Sequence, residues 1–246
     1  MKKTFWQCLL PCVALTVILL GVSLGVSAQA ATVGKGVAPD DVKAVDLGLP
    51  SGTKWANKNI GAREEGDYGL YFAWGETTGY EGVDINPNVD DGREFKWESY
   101  KWGDGPTPKV TKYCTVAKYG EVDNVKVLAN DDDAAAVCWG SSWRMPTEEE
   151  FVELIENTTC TKENNIQWGL RFVSKINGNS IFLPAGGIRN FSQHQMFTLL
   201  GCYWSATVDE KHPEAARSMR FTTNQKKAGM ERIGRFIGQN IRAVSK

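Results

Sequence analysis

Side chains that could act as nucleophiles, acids or bases are scarce in this sequence. Its two histidines, His194 and His212, stand outside any catalytic motif. After residue 30, no serine lies in a Gly-x-Ser-x-Gly turn and no glycine-rich loop ends in Gly-Lys-Ser or Gly-Lys-Thr. These are the signatures of serine hydrolases and of phosphate-binding loops, so the sequence predicts a non-catalytic protein.

Oxygen-rich segments raise the question of calcium. Residues 84–88, Asp-Ile-Asn-Pro-Asn, begin like a hand-type calcium loop. Val89 stands where that loop needs glycine, and Phe95 stands where it needs a bidentate glutamate. The sequence therefore does not predict a hand-type calcium site here.

A second acidic run, Asp131, Asp132 and Asp133, follows Asn130 and precedes three alanines. The carboxylates could hold a structural calcium ion. Acidic residues before an apolar run also cap a helix, and capping accounts for this run more simply. Apart from this candidate structural calcium, no cofactor is predicted.

Aromatic side chains are the most abundant candidates for ligand binding, because exposed rings stack on glycans and anchor protein interfaces. Trp74, Trp139, Trp143 and Trp204 are predicted to be core residues. Residues 66–105 combine glycines, rings and acidic residues without periodicity, which predicts a long ordered loop. Within it, the predicted ligand-binding residues are Tyr80, Trp97, Tyr100 and Trp102.

The N-terminus is typical of an exported protein. Lys2 and Lys3 precede an apolar stretch at 9–26 that ends in Ser-Ala-Gln-Ala, which predicts a signal peptide over residues 1–30. A retained membrane anchor is one alternative, although Gly21, Ser23, Gly25 and Ser27 dilute the apolar stretch. Lipidation at Cys8 or Cys12 is another. The signal is followed by a predicted linker at 31–42 and one domain at 43–246.

The charge of the exported part excludes some partners. Removing Lys2 and Lys3 leaves 26 basic residues against 29 acidic ones. Without a basic excess, binding to nucleic acid or to an anionic membrane is not predicted. No second long apolar run is present, so no membrane span is expected after signal cleavage. The protein is predicted to work in the periplasm, at the cell surface or outside the cell.

Four cysteines remain after residue 30: Cys114, Cys138, Cys160 and Cys202. They allow three pairings, and the sequence does not choose among them. No Cys-x-x-Cys spacing is present, so zinc is not predicted. An oxidising compartment would permit one or two disulfides, although a chain of this length can bury an adequate core without them.

Regular elements are predicted where the pattern is clear. Strands at 45–47 and 54–57 flank a glycine-rich turn, and 171–175 pairs with 180–183 across Asn177-Gly178. Further strands are expected at 203–206, 216–222 and 240–244. One helix starts at the 130–133 acidic cluster and stops before Gly140. A second begins at the Thr147/Glu150 capping box and continues to about 157.

Several segments together resemble the Fibrobacter succinogenes major paralogous domain family of secreted or surface proteins of gut Bacteroidetes. The resemblance is carried by residues 45–49, 71–77, 111–114, 132–135, 139–140, 143–147, 179–184 and 203–205. Trp-Arg-Met-Pro-Thr at 143–147 is also similar to a signature of C-type-lectin-like and sulfatase-modifying folds. The resemblance implies a compact α+β domain with short antiparallel strands, two helices, long ordered loops and paired terminal strands. The cysteine pair of the sulfatase-modifying enzymes is not matched, because Cys202 stands alone after Cys160.

The sequence thus predicts a secreted or surface-exposed binding module that recognises a glycan or a protein through aromatic loops. A structural or adhesive component of a surface assembly is the alternative. An enzyme using carboxylates such as Asp90, Asp91, Glu94 and Asp104 is the second alternative.

Overall fold

The computed structural model describes residues 36–82, 93–165, 167–225 and 227–246. The predicted signal peptide lies outside the described residues. Within the described ranges the fold is α+β, built from antiparallel strand pairs and two helices. The helices are α1 (Ala134–Trp139) and α2 (Glu148–Asn157). The strands are β1 (Ala44–Asp46), β2 (Lys54–Ala56), β3 (Gly103–Asp104), β4 (Lys109–Val110), β5 (Thr158–Glu163), β6 (Gly169–Ser174), β7 (Ser180–Pro184), β8 (Ile188–Asn190), β9 (Gln193–Gln195), β10 (Leu200–Val208), β11 (Ala215–Thr222), β12 (Lys227–Gly234) and β13 (Val244–Ser245).

The two ends of the domain meet in one small sheet of order β1-β2-β13. Trp55 is central to it, opposite Val45 on one side and Val244 on the other. The indole is fully buried, and its centroid lies 5.1 Å from that of Phe151 on α2. The predicted first strand pair is therefore confirmed, and the last strand pairs with it.

Both predicted helix starts are confirmed. The Asp133 carboxylate accepts from the amides of Ala135 and Ala136 and caps α1. The Thr147 hydroxyl accepts from the Glu150 amide while the Glu150 carboxylate accepts from the Thr147 amide, which completes the capping box of α2.

Two further three-stranded sheets contribute to the core. The sheet β5-β6-β7 contains the predicted hairpin, with Arg171 opposite Phe182. The sheet β10-β11-β12 pairs eight residues of β11 with β12, a strand that the sequence analysis missed because glycines and charges interrupt its pattern. Helix α2 contacts both sheets, and its buried residues Phe151 and Leu154 join their shared core.

The four cysteines of the described part are all unpaired. They sit on separate elements: Cys138 on α1, Cys160 on β5, Cys202 on β10 and Cys114 in a loop core with Val110 and Tyr119. The expected disulfides are therefore not formed, since the fold distributes these residues among different packing clusters. Burial raises the pKa of the Cys202 thiol to about 12.

Residues 36–42, expected as a linker, contact the domain. Ala38 and Val42 pack against the core, and the Asp41 carboxylate pairs with the buried Lys58 ammonium at 2.7 Å. Among the described residues, no helix has the length and apolar character needed to cross a bilayer.

Candidate functional site

The predicted ring site is largely internal. Tyr100 is 4% exposed, and its hydroxyl donates to the Trp74 carbonyl oxygen at 2.8 Å. Desolvation raises its pKa well above the ordinary value. The expectation that Tyr100 is available to a ligand is wrong, because this ring completes a small core with Tyr71, Ala73 and Phe95.

The three other predicted rings, Tyr80, Trp97 and Trp102, are half-buried and pack against that same core. The Trp97 indole N–H donates to the Thr107 carbonyl oxygen at 2.6 Å. The Trp102 N–H donates to Gly75, and the Lys101 ammonium lies 4.2 Å from the Trp102 ring centroid. The indole N–H groups of Trp97 and Trp102 are therefore already bonded within the protein. Tyr68 is half-buried against the same core.

The side chains of Asp131, Asp132 and Asp133 differ in their surroundings. Asp132 is buried and accepts from the ammonium groups of Lys101 at 3.1 Å and Lys112 at 2.5 Å. Burial alone would raise the Asp132 pKa, but these bonds and one from the Tyr113 hydroxyl outweigh it and lower the pKa. Asp131 is exposed, and Asp133 is the cap of α1.

The three carboxylates therefore do not converge on one point. Nowhere in the described ranges do three His, Cys, Asp or Glu side chains gather closely enough to hold a metal. The loop at 84–88 and the carboxylates of Asp90 and Asp91 lie outside the described residues. Asp104 is at an exposed position on β3, while Glu94 pairs with Lys96.

A polar cleft lies on another part of the surface, where three loops converge. It is open to solvent and has a volume of about 330 Å³. Its lining combines a tyrosine ring with carboxylate, guanidinium and amide groups and with three glycines. The lining residues are Gly61, Arg63, Asp67, Tyr68, Gly69, Leu70, Glu81, Gly82 and Gln167. We call it the Tyr68 cleft.

Glycines shape the floor of the Tyr68 cleft. Leu70 donates its amide to the Ile60 carbonyl oxygen at 2.9 Å, which draws two chain segments together. Gly69 has φ +72°, and a Cβ there would lie 2.4 Å from that same oxygen. Glycine is required at 69 because any side chain would force these segments apart.

Hydrogen bonds of the buried Asn59 side chain hold the main chain at Tyr68. The Asn59 amide donates to the Tyr68 carbonyl oxygen at 2.8 Å, and its Oδ1 accepts from Arg242 Nε at 2.9 Å. Arg242 also donates to the carbonyl oxygens of Ala56 and Phe182. Both Asn59 and Arg242 are fully buried, and desolvation lowers the Arg242 pKa to about 10. The position of the Tyr68 backbone is thus set by the domain interior.

The other walls of the cleft are also anchored. Asp67 Oδ2 accepts from the amides of Arg63 at 3.0 Å and Glu64 at 3.4 Å, which closes the loop on itself. The buried Arg189 guanidinium donates to the Glu81 carbonyl oxygen at 3.0 Å. Hydrogen bonds within the protein therefore hold the cleft walls at Asp67 and at Glu81.

The two histidines have structural surroundings. His194 Nε2 lies 2.6 Å from the Gly186 carbonyl oxygen, and the ring stacks on Phe197 at 4.8 Å. Its edge contact with the Tyr68 ring, at 6.1 Å between centroids, joins it to the wall of the cleft. His212 lies 3.4 Å from Glu214.

Sequence reasoning missed the Tyr68 cleft. Tyr68 stood among many rings in the 66–105 loop, and Gln167 is about one hundred residues distant in sequence. The glycines at 61, 66 and 69 were the one local sign that the backbone makes close approaches there.

Comparisons with models of known protein families, with curated proteins and with solved structures found no match to this chain. The resemblance to the paralogous domain family, and the C-type-lectin-like fold that it implies, stay predictions.

Proposed function

We propose that this protein is an exported, non-catalytic binding module that recognises a neutral saccharide in the Tyr68 cleft. The observation that carries the proposal is the composition of the cleft: an aromatic residue beside two carboxylates, a guanidinium and an amide, on anchored loops. Carboxylates accept hydrogen bonds from sugar hydroxyls, Arg63 and Gln167 donate to ring and hydroxyl oxygens, and a ring packs on the apolar face of a pyranose.

The balance of charge narrows the class of ligand. Asp67 and Glu81 place two negative charges in the cleft against one positive charge from Arg63, which disfavours sulfated or phosphorylated ligands. Leu70 is the one aliphatic side chain of the lining, which disfavours an apolar ligand. The volume of about 330 Å³ is near the lower limit for small-molecule sites, which run from roughly 300 to 1,000 Å³. One or two sugar units match this size and polarity.

Export follows from the predicted signal at 1–30, and with it a location in the periplasm, at the cell surface or outside the cell. In those compartments a binding module meets polysaccharides and glycoproteins.

A glycan array probed with the purified protein tests the proposal, followed by calorimetry on the glycans that bind. Tyr68→Ala and Glu81→Gln should each weaken binding at least tenfold, while Tyr80→Ala and Trp102→Ala should not. Loss of binding in Trp102→Ala with full binding in Tyr68→Ala would place the binding site at Trp102 instead of the Tyr68 cleft. An array without any bound neutral glycan would refute the saccharide proposal, and release of shorter sugars from a bound glycan would refute the non-catalytic one.

A further inference from the structure

The hairpin β8–β9 and the turn after it present large apolar side chains to solvent. Phe191, Met196 and Leu199 are 54%, 49% and 51% exposed. Among the described large apolar residues, only Val37 and Ile176 are exposed to a similar degree. Three such side chains within nine residues form a local concentration, which we call the 191–199 surface. Single exposed apolar residues are common, whereas a cluster marks an interaction site.

Charge is absent from this part of the chain. Residues 190–199 contain no Asp, Glu, Lys or Arg, although 23% of the whole chain is charged. Depletion of charge and enrichment in aromatic residues and methionine distinguish the centres of protein interfaces from other surface.

The backbone of this loop is left-handed at three residues that are not glycine. Phe191, Met196 and Thr198 have φ of +52°, +57° and +66°, and they are three of the five non-glycine residues with positive φ in the described ranges. Such conformations persist where the surroundings fix them, and they are concentrated at functional sites.

The loop is firmly attached at its base. The Phe191 amide donates to the Phe95 carbonyl oxygen at 3.0 Å, and the Thr198 amide donates to that of Ala185 at 2.7 Å. The Leu200 amide donates to the Met196 carbonyl oxygen at 3.0 Å. The exposure of the apolar side chains is therefore a property of an ordered loop.

We infer that the 191–199 surface docks an uncharged, apolar segment of another protein. The absence of Asp, Glu, Lys and Arg at 190–199 favours a partner segment that is itself uncharged. The lack of lysine and arginine argues against an anionic lipid surface, which attracts basic segments.

The size of the surface argues against a second copy of this chain. Three half-exposed side chains offer ~300 Å² of apolar area, whereas a stable dimer buries roughly 800 Å² on each partner. A few apolar anchors that enter a pocket on a different protein need less area, because a small number of residues carries most of the binding energy. This inference does not depend on the saccharide proposal, since it uses other residues.

A phage-displayed library of random dodecapeptides, selected on the purified protein, provides the test. The variant combines Phe191→Asn, Met196→Asn and Leu199→Ser, with asparagine at the two left-handed positions that it tolerates. The control combines Val125→Ser, Val152→Ser and Ile176→Ser, which are also exposed apolar positions. Enriched peptides should be apolar and uncharged, and their synthetic forms should bind the variant at least tenfold more weakly than the wild type or the control. Equal binding to all three proteins, or enrichment of charged peptides, would overturn the inference.

Two further measurements identify other occupants. Sedimentation velocity that shows a dimer lost in the variant would replace the proposed partner by a second copy. Co-sedimentation with phosphatidylcholine vesicles that is lost in the variant would replace it by a lipid surface. Should the variant have a lowered Tm, Leu199→Ser alone serves instead, because Leu199 is outside the positive-φ positions.

Discussion

Asn59→Ala should destabilise the protein far more than the same change two residues earlier. Asn59 is fully buried, and its side chain joins the Tyr68 carbonyl oxygen at 2.8 Å to Arg242 Nε at 2.9 Å. The alanine variant removes the partner of a part-buried acceptor and of a buried charged donor. Each unpartnered buried group costs about 1–3 kcal/mol, so the free energy of unfolding should fall by about 3 kcal/mol.

Asn57 provides the matched control. Its side chain makes two hydrogen bonds, accepting from the Lys43 amide at 2.8 Å and donating to the Asp41 carbonyl oxygen at 3.3 Å. Asn59 makes a third, longer one to the Tyr203 hydroxyl at 3.4 Å. These bonds are exposed, so water replaces the lost partner and Asn57→Ala should cost about 1 kcal/mol or less. The expected difference between the two variants comes from the burial of the groups that lose a partner and from the charge of the Arg242 donor.

Urea unfolding followed by tryptophan fluorescence measures both values. For a chain of this size, 3 kcal/mol corresponds to a Tm lower by about 6–12 °C. Saccharide binding by Asn59→Ala should also weaken at temperatures where the variant is folded, since the Tyr68 backbone loses its anchor. Equal destabilisation by the two variants would refute the claim that the Arg242–Asn59 link holds this loop.

Three other predictions concern single positions. Burial raises the pKa of Glu150, but bonds from Arg144 and others outweigh it and hold the pKa below its usual value, so the ionised form stabilises the fold above about pH 4.5. The stability lost in Glu150→Gln should therefore be full at pH 7 and shrink as the pH falls towards 3, as urea titrations at each pH would show; a pH-independent loss would contradict this. Gly69→Ala should lower the free energy of unfolding by about 2–4 kcal/mol, because it combines left-handed strain with overpacking. The control Gly52→Ala, at φ +73° with open space around it, should lower it by about 1 kcal/mol. Equal losses in denaturant unfolding would exclude the steric explanation. Thr198→Gly should raise the free energy of unfolding by about 0.5–1 kcal/mol, because it relieves a β-branched residue at φ +66°; an unchanged or lower Tm would show that this backbone is unstrained.

The elements that the sequence predicted correctly depend on neighbours in the chain. The capping box of α2 needs residues three positions apart, and the β6–β7 hairpin needs the Asn177-Gly178 turn between alternating segments. Such signals lie within a short stretch of sequence, so they can be recognised without knowledge of tertiary contacts. Strand β12 lacks them, because Gly229 and Gly234 interrupt its pattern and its pairing with β11 comes from the sheet.

The candidate site was harder to predict for a related reason. The sequence around a tryptophan or tyrosine in a loop does not show whether the ring packs in the core or faces solvent. Tyr100 turned inward because its hydroxyl reaches the Trp74 carbonyl oxygen, a partner 26 residues earlier. The Tyr68 cleft depends on the convergence of segments near 61–70, 81–82 and 167, and no local pattern records that convergence.

Buried arginines explain how a chain with so much irregular structure keeps its loops in place. Loops that pack inside a domain carry carbonyl oxygens without ladder partners, and each needs a donor. Arg189, Arg235 and Arg242 are each fully buried, and their guanidinium groups donate to main-chain carbonyl oxygens of loops and strand ends. One guanidinium has five N–H donors in a rigid plane, so a single residue can satisfy several distant carbonyls at once.

This arrangement costs desolvation of the charge, which lowers the pKa of Arg235 and of Arg242. The Trp74 ring offsets part of that cost for Arg235, whose guanidinium carbon lies 4.6 Å from the ring centroid. Since Arg242 bonds to Asn59, which bonds to the Tyr68 carbonyl oxygen, and Arg189 bonds to the Glu81 carbonyl oxygen, two of these charges support residues that line the Tyr68 cleft. Replacing either arginine by lysine would keep the charge but lose the planar fork, so the loops should loosen even where the domain remains folded.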